Sequence, residues 1–324
     1  MQKHDFGHVL VTSASSKVPL IRAVQNATRK LHPTIQVIAG DMNEEALTFF
    51  AADSFWKMPR TIDRECEFLM AGCKERGVRT IVPTRDGELL FWARYQPRFA
   101  EAGISIVVSP ESSISVCLDK LEFSGFGKKH GLPFIPASIE IGEIDAPTYV
   151  VKERYGAGSR KMGLNLSRGA ALEHARILEH PIYQPFVSGN EVSVDAWLDR
   201  RGKVKGVILR RRDRVVNGES QITTTFRNEK VEAEATGILE ALQLRGPVVM
   251  QLFIDGANQI HVIECNSRFG GASTASIAAG LDVFYWSLLE AQGADLAEYP
   301  FERISGELRQ IRVPADVIVH GHHF

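Results

Sequence analysis

The sequence predicts an α/β fold that opens on a doubly wound parallel sheet and continues into a second, strand-rich unit. Three observations carry this reading. From Val9 to Val108, short runs of Val and Ile alternate with longer amphipathic stretches, as expected when parallel strands are covered on both faces by helices. Near Ser109 that alternation stops, and closely spaced strands follow. The 324 residues, 44% hydrophobic and 24% charged, suit about two globular domains.

The elements follow in order. HVLVT reads as the first strand, with a helix through Arg22 to Leu31. TIQVIAG is the next strand, then come a helix near Arg64 to Glu75, the strand RTIVPT, a helix near Glu88 to Phe99 and the strand ISIVVS. Such sheets bind ligands beyond the carboxyl ends of their strands, which here are Thr12 to Ser16, Asp41 and Thr84 to Glu88. The first strand-to-helix turn, TSASSK, has no glycine, so backbone cannot close on a pyrophosphate as in the dinucleotide fingerprint, and a dehydrogenase is disfavoured. Asp41 reads as a ribose contact or as the cap of a following helix. A short helix starts at Pro110 or Ser113, Asp119 opens or continues another, and GLP followed by IP ends it. A domain boundary is placed at about residue 116, giving units 1–116 and 117–324. Beyond it come a strand (Thr148 to Lys152), a Gly-rich loop, a helix (Arg168 to Glu179), and strands through Ile182 to Val187 and Glu191 to Leu198. An Arg-rich strand with its following loop, a helix (Glu229 to Leu244) and the strands Val248 to Ile254 and Gln259 to Glu264 complete the order.

Composition excludes several classes. Lys+Arg 38 against Asp+Glu 39 leaves a net charge of −1, so no global field draws the chain to nucleic acid or anionic lipid. Apolar runs such as Ile104 to Val108 are far shorter than the roughly 20 residues that span a bilayer. The opening MQKHDFGHVLV turns directly into a strand pattern without a signal-peptide apolar region, so the expected location is cytoplasmic. Cys66, Cys73, Cys117 and Cys265 form no CxxC pair and have no His at zinc-finger spacing. Cys66 and Cys73, seven apart, share a helix face as small buried residues. His320, His322 and His323 read as a metal chelate or as solvated imidazoles on a strand end.

Three stretches carry chemistry. In TYVVKERYGAGSRKMG an apolar strand ends in Lys152 and is followed by Gly156, Gly158 and Ser159; a Gly/Ser loop can wrap phosphates with N–H groups while the lysine holds them from the side. The alternative is a hairpin with a snorkelling lysine. In YQPFVSGNEVSVDAW, backbone following Gln184 can read an adenine edge, and Glu191 can accept from both ribose hydroxyls; the alternative is a strand pair with a surface Glu. In VVMQLFIDGANQIHVIECNSRFGGAS, Asp255 and Gly256 supply a hairpin turn. Period-2 alternation puts Glu264 and Asn266 on one face and Cys265 on the other, with Gln251 on the adjacent strand. Clustered oxygen ligands of this kind suit Mg²⁺, which takes its remaining ligands from phosphates and water. Arg268 reaches the same face and is suited to neutralise a transferring phosphoryl group.

These three stretches, in this order, resemble the ATP-grasp superfamily, and especially the synthetase domains of the carbamoyl-phosphate synthase large subunit. PRTID, IVPTRDGEL and CLDK resemble that family's preceding domain and junction. The resemblance implies a pre-ATP-grasp domain followed by a two-lobed α+β grasp domain, with a small lobe of about 117–185 and a large lobe of about 186–324. It implies Lys120 and Lys152 on ATP phosphates, Pro185 and Val187 offering backbone to adenine, Glu191 on ribose, and Gln251, Glu264 and Asn266 on Mg²⁺, with Mn²⁺ as a substitute. Arg268 faces the acyl-phosphate. Gln184 stands where the family often has Glu, and Ser267 replaces a common proline. A single grasp unit without an amidotransferase segment implies a stand-alone ligase.

Between the second and third stretches, VILRRRDRVV places Arg210, Arg212 and Arg214 on one strand face and Arg211 on the other. Guanidinium groups beside an ATP site favour a triphosphate or carboxylate through bidentate pairs, which makes Arg268, Arg212 and Arg210 the candidate catalytic residues. A solvated basic edge strand is the alternative; nucleic acid is opposed by the lack of interleaved aromatics. The expected activity is ATP- and Mg²⁺-dependent joining of a small carboxylate to an amine through an acyl-phosphate, with Asp86 and Glu88 as amine contacts or helix caps. The expected partners are small molecules, with no nucleic acid and no membrane, and a homodimer is left open. An ATP-binding scaffold or sensor without turnover is the competing function.

Overall fold

The computed structural model describes residues 6–156, 161–216, 218–316 and 318, so the expectations for Gly158, Ser159, His320, His322 and His323 lie outside the described residues. The first unit runs β1 (His8–Thr12), α1 (Val18–Leu31), β2 (Val37–Asp41), β3 (Ser54–Lys57), α2 (Cys66–Glu75), β4 (Val78–Val82), α3 (Asp86–Glu101) and β5 (Ser105–Ile106). Its sheet is parallel in the order β3-β2-β1-β4-β5. The order reverses between β1 and β4, so their carboxyl ends part at a topological switch point, where such sheets hold ligands.

Several local expectations need correction. α1 begins at Val18, four residues before Arg22, because Pro19 falls in its first turn, where a fixed φ and a missing N–H suit helix entry. SFWK was not foreseen as a strand; four residues are too few to show a period, and β3 stands on the sheet edge beside β2. ISIVVS pairs over only Ser105 and Ile106, since the chain turns away toward Pro110. Asp41 caps no helix: its carboxylate accepts from the backbone N–H groups of Ser15 (2.8 Å) and Asn43 (3.0 Å), tying two loops together. The glycine-free TSASSK turn holds Ser13 and Ser15 at φ 49° and 44°, a left-handed conformation costing about 1–3 kcal/mol per residue.

The chain continues through α4 (Glu111–Leu118), α5 (Lys120–His130), β6 (Tyr149–Glu153), β7 (Gly163–Leu166), α6 (Arg168–Ala175) and β8 (Pro181–Pro185). The expected boundary at residue 116 falls inside α4. α6 ends at Ala175 rather than Glu179, with residues 176–179 closing turns. β7-β6-β8 form a small antiparallel sheet. Then follow β9 (Asn190–Leu198), β10 (Val204–Val216), β11 (Glu219–Phe226), α7 (Glu229–Ala241), β12 (Gly246–Ile254), β13 (Ile260–Asn266), α8 (Thr274–Ala278), α9 (Val283–Ala291) and β14 (Arg309–Ile311). The segment read as a loop after the Arg-rich strand is β11; its Thr-rich sequence suits a half-buried pleated surface. The large sheet is antiparallel in the order β13-β12-β9-β10-β11-β14. At the β12–β13 turn, Asp255 accepts from the N–H groups of Ala257 and Gln259, each at 2.9 Å, and Asn258, not Gly256, takes the left-handed position at φ 60°.

Alternation along β9 sets the layers. Val192, Val194, Ala196 and Leu198 bury against α7 residues Val231, Ala235 and Ile238 and against Phe123 of α5. Trp197 points the other way, into a core that also holds Ile21 and Val24 of α1 and Phe284 and Trp286 of α9. Its indole N–H donates to Ser287 Oγ at 2.8 Å. Each such large apolar side chain contributes about 1.5–3 kcal/mol. This shared core fixes the parallel unit against one face of the large sheet, and the loops after β1 and β4 reach the functional face from there.

Candidate active site

A cavity of about 480 Å³ opens between the small sheet and the edge of the large one. On β6, Tyr149 and Val151 join the core under α6, so Val150 and Lys152 face the cavity. Lys152 is only 9% exposed; burial pulls its ammonium down to about 8, against a pull upward from Glu264. Lys120 lines the same cavity and donates to Gly156 O at 2.8 Å; burial lowers its pKa too. Asp119 sets that lysine in place. Its carboxylate caps α5 through the N–H groups of Leu121 and Glu122 and receives Arg154 at 2.8 and 2.6 Å. Burial pushes the Asp119 carboxyl up, but the guanidinium and N–H donors outweigh it and hold it below the carboxylate range.

Gln184, Pro185, Val187 and Glu191 line the cavity along the link from β8 to β9. The Gln184 amide is held inward, donating to Ile135 O at 3.3 Å, which leaves backbone groups along this link facing the cavity. Gly189 is required at this link: a Cβ would stand 2.7 Å from Ile254 O. Glu191 receives Arg212, which also donates to Ser220 Oγ (3.1 Å) and Gly218 O (2.7 Å).

Gln251 and Glu264 are direct cross-strand partners, and Val249 pairs with Asn266. Asn266 Nδ2 lies 3.3 Å from Glu264 Oε1, while Cys265 is buried in the opposite core as alternation requires. Among the described residues no three His, Cys, Asp or Glu side chains converge as a metal cluster. One carboxylate and two amide oxygens fit Mg²⁺ with phosphate and water completing the shell, and would not suffice for a cage of protein ligands alone.

Gln251, Glu264 and Arg212 also border a second cavity of about 660 Å³, whose far wall is the β1–α1 loop and the start of α3. Arg268 lies there in a bidentate pair with Asp86, at 2.8 and 2.7 Å. Asp86 therefore orients an arginine, and its carboxylate still borders the cavity. Glu88 is fully buried, a correction to the expectation of an amine contact there: it accepts from Thr84 N, Arg85 N and the Trp92 indole, closing the start of α3. Arg210 borders the cavity but is 2% exposed, with Nε and Nη2 on Asp195 at 2.5 and 2.9 Å. Asp195 also accepts from Ser273 and Ser276. With its fork occupied, Arg210 is a buried strut, a correction to the expectation that it faces substrate. Arg211 pairs with Glu307 on the other face, and Arg214 lies beyond an irregularity in the β10–β11 ladder and is exposed, so the three-arginine face is not kept. Sequence reasoning missed Lys17, which lines this cavity and donates to Ser13 O at 2.6 Å and Thr84 Oγ1 at 3.0 Å. Its signal was position, one residue past the expected ligand loop.

Two antiparallel sheets grip a lysine-lined cavity behind a doubly wound parallel unit, which is the architecture of the ATP-grasp fold. Residues 178–311 match the family described as ATP-grasp in the biosynthetic pathway with Ter operon, and residues 9–107 match the PylC-like N-terminal domain. The fold is shared with the biotin carboxylase domain of Hydrogenobacter thermophilus 2-oxoglutarate carboxylase, solved as a dimer with MgADP, ADP and bicarbonate (16% identity, 94% of this chain and 74% of that one, TM-score 0.73). It is shared with Staphylococcus aureus N5-carboxyaminoimidazole synthetase complexed with ADP (16%, 90% and 78%, TM-score 0.70). The L-amino acid ligase of Bacillus licheniformis is a third example (16%, 96% and 81%, TM-score 0.71). No curated protein sequence matches the chain. Among the described residues no helix is long and apolar enough to cross a membrane.

Proposed function

We propose that the protein is an ATP- and Mg²⁺-dependent carboxylate–amine ligase acting through an acyl-phosphate on a small carboxylate. The observation that carries this reading is the position of Gln251, Glu264 and Asn266. Gln251 and Glu264 stand on the wall common to the lysine-lined cavity and the cavity below the parallel unit, and Asn266 lines the latter. The three would hold Mg²⁺, which supplies charge neutralisation between nucleotide phosphates when bound. Lys120 and Lys152 bind phosphate oxygens, Val187 offers backbone to the base, and Glu191, held by Arg212, meets the ribose. Arg268, aimed by Asp86, offsets charge on the phosphoryl group as it passes to the carboxylate, while the amine enters from the second cavity. No protein nucleophile is needed; positioning and electrostatics carry the reaction. Units 1–116 and 117–324 are two domains docked through their shared core, with the second cavity between them, in a cytoplasmic enzyme that works with either Mg²⁺ or Mn²⁺.

The test is interception of the acyl-phosphate. With ATP, Mg²⁺ and carboxylates screened by ADP release, hydroxylamine should yield a hydroxamate without the natural amine. Arg268→Ala should lower that yield by about 10²–10³, the usual effect of removing one preorganised charge-stabilising contact. ADP release without hydroxamate, and without carboxylate ¹⁸O in the released phosphate, would overturn the acyl-phosphate route; ATP binding with no ADP release for any carboxylate would indicate a sensor.

A further inference from the structure

The second cavity continues beyond Arg268. A recess of about 590 Å³ lies over the carboxyl ends of the parallel strands, and Lys17 and Arg85 line both spaces. The recess sits where the strand order reverses between β1 and β4. Lys17, Arg60 and Arg85 border it, against Asp41 and Glu88.

The two acids are already occupied by N–H donors: Asp41 by Ser15 and Asn43, Glu88 by Thr84, Arg85 and Trp92. Glu88 and Asp41 act on Lys17 through space, yet the hydrogen bonds of Lys17 and Arg85 go only to neutral groups. Lys17 donates to a carbonyl and a hydroxyl, and Arg85 Nε lies 3.3 Å from Ser13 Oγ. Arg60 has no side-chain hydrogen bond, and neither arginine has an ion-pair partner, among the described residues. Met42, Met58 and Ile62 add apolar wall, so the space accepts an organic body with an anionic end. Unpaired guanidinium groups suit phosphate or carboxylate through bidentate bonds.

We propose that this recess binds an anionic group, a phosphate monoester or a carboxylate, at the end of the acceptor remote from its reacting amine. Naming the ligand as the acceptor rests on the ligase reading above; the anion site itself does not.

The test uses the full chain with Mg²⁺ and a non-hydrolysable ATP analogue at saturation, so that the phosphate-binding lysines of the first cavity are filled. Inorganic phosphate and succinate are titrated in parallel, with chloride matching ionic strength, and thermal stability is followed. A saturable rise in Tm is expected for one of the anions, and which one responds assigns the class. Arg60→Ala, an exposed position, should weaken that anion about tenfold or more, the usual effect of a lost charge-assisted contact, with the ATP-analogue midpoint unchanged. Lys17→Met should do the same to the anion. Repeating the titration on Lys152→Ala keeps it independent of nucleotide. Failure of the analogue to bind the wild type counts against the ligase reading alone. Anions that act no differently from chloride, or that titrate identically in Arg60→Ala and the wild type, overturn the proposal.

Discussion

Replacing Lys152 by Met separates what the site needs from what the fold prefers. The buried ammonium titrates at about 8 instead of the ordinary 10.5, with desolvation as the main cause. A drop of about 2.5 units corresponds to about 3 kcal/mol of destabilisation at roughly 1.4 kcal/mol per unit, an order-of-magnitude figure. Below pH 8 the lysine is charged in both folded and unfolded chains, so the whole penalty is present. Between about pH 8 and 10.5 the folded protein binds fewer protons than the unfolded one, and stability rises with pH relative to the variant. Lys152→Met, close in volume, should therefore be more stable than the wild type at pH 7 by up to about 3 kcal/mol, with the gap closing by pH 10.5. The same variant should lose more than about tenfold in ATP affinity, since a charge-assisted contact to phosphate is worth about 1.5–3 kcal/mol. A bound phosphate restores the charge, so ATP binding near pH 8.5 should take up a proton. Urea melts across that pH range, with calorimetry in buffers of different ionisation enthalpy, provide the measurement. A stability gap that does not change with pH, together with unaltered ATP affinity, would refute the reasoning.

Two other substitutions probe the large sheet. Glu264→Gln keeps shape but removes the anionic ligand proposed for Mg²⁺, the kind a hard cation prefers; the fold should survive while turnover falls by orders of magnitude and recovers only partly with excess Mg²⁺, as read by steady-state kinetics across a metal titration. Arg210→Met leaves Asp195 buried without its cation and should cost about 3–5 kcal/mol in a denaturant melt, whereas pairing it with Asp195→Leu should recover most of that loss.

Period and punctuation were enough to read most elements. Alternation put Glu264 and Asn266 on one face and Cys265 on the other, and an apolar run was read as a strand ending in Lys152; both follow from local strand geometry. Asp119 marked a helix start or continuation, and only the structure shows its carboxylate capping α5. Distant partners were not legible. Arg210 and Arg212 lie on the same face with the same chemistry, yet Asp195 claims the first and Glu191 the second. The Arg268–Asp86 pair spans 182 residues, and no local pattern can announce a contact made only when the parallel unit docks through Trp197, Phe284 and Ile21. The sequence alone determined which side chains each strand offers to a face, because backbone geometry sets that within a few residues. The tertiary structure decided which charges were neutralised and which were left facing a cavity, because that depends on what packs opposite.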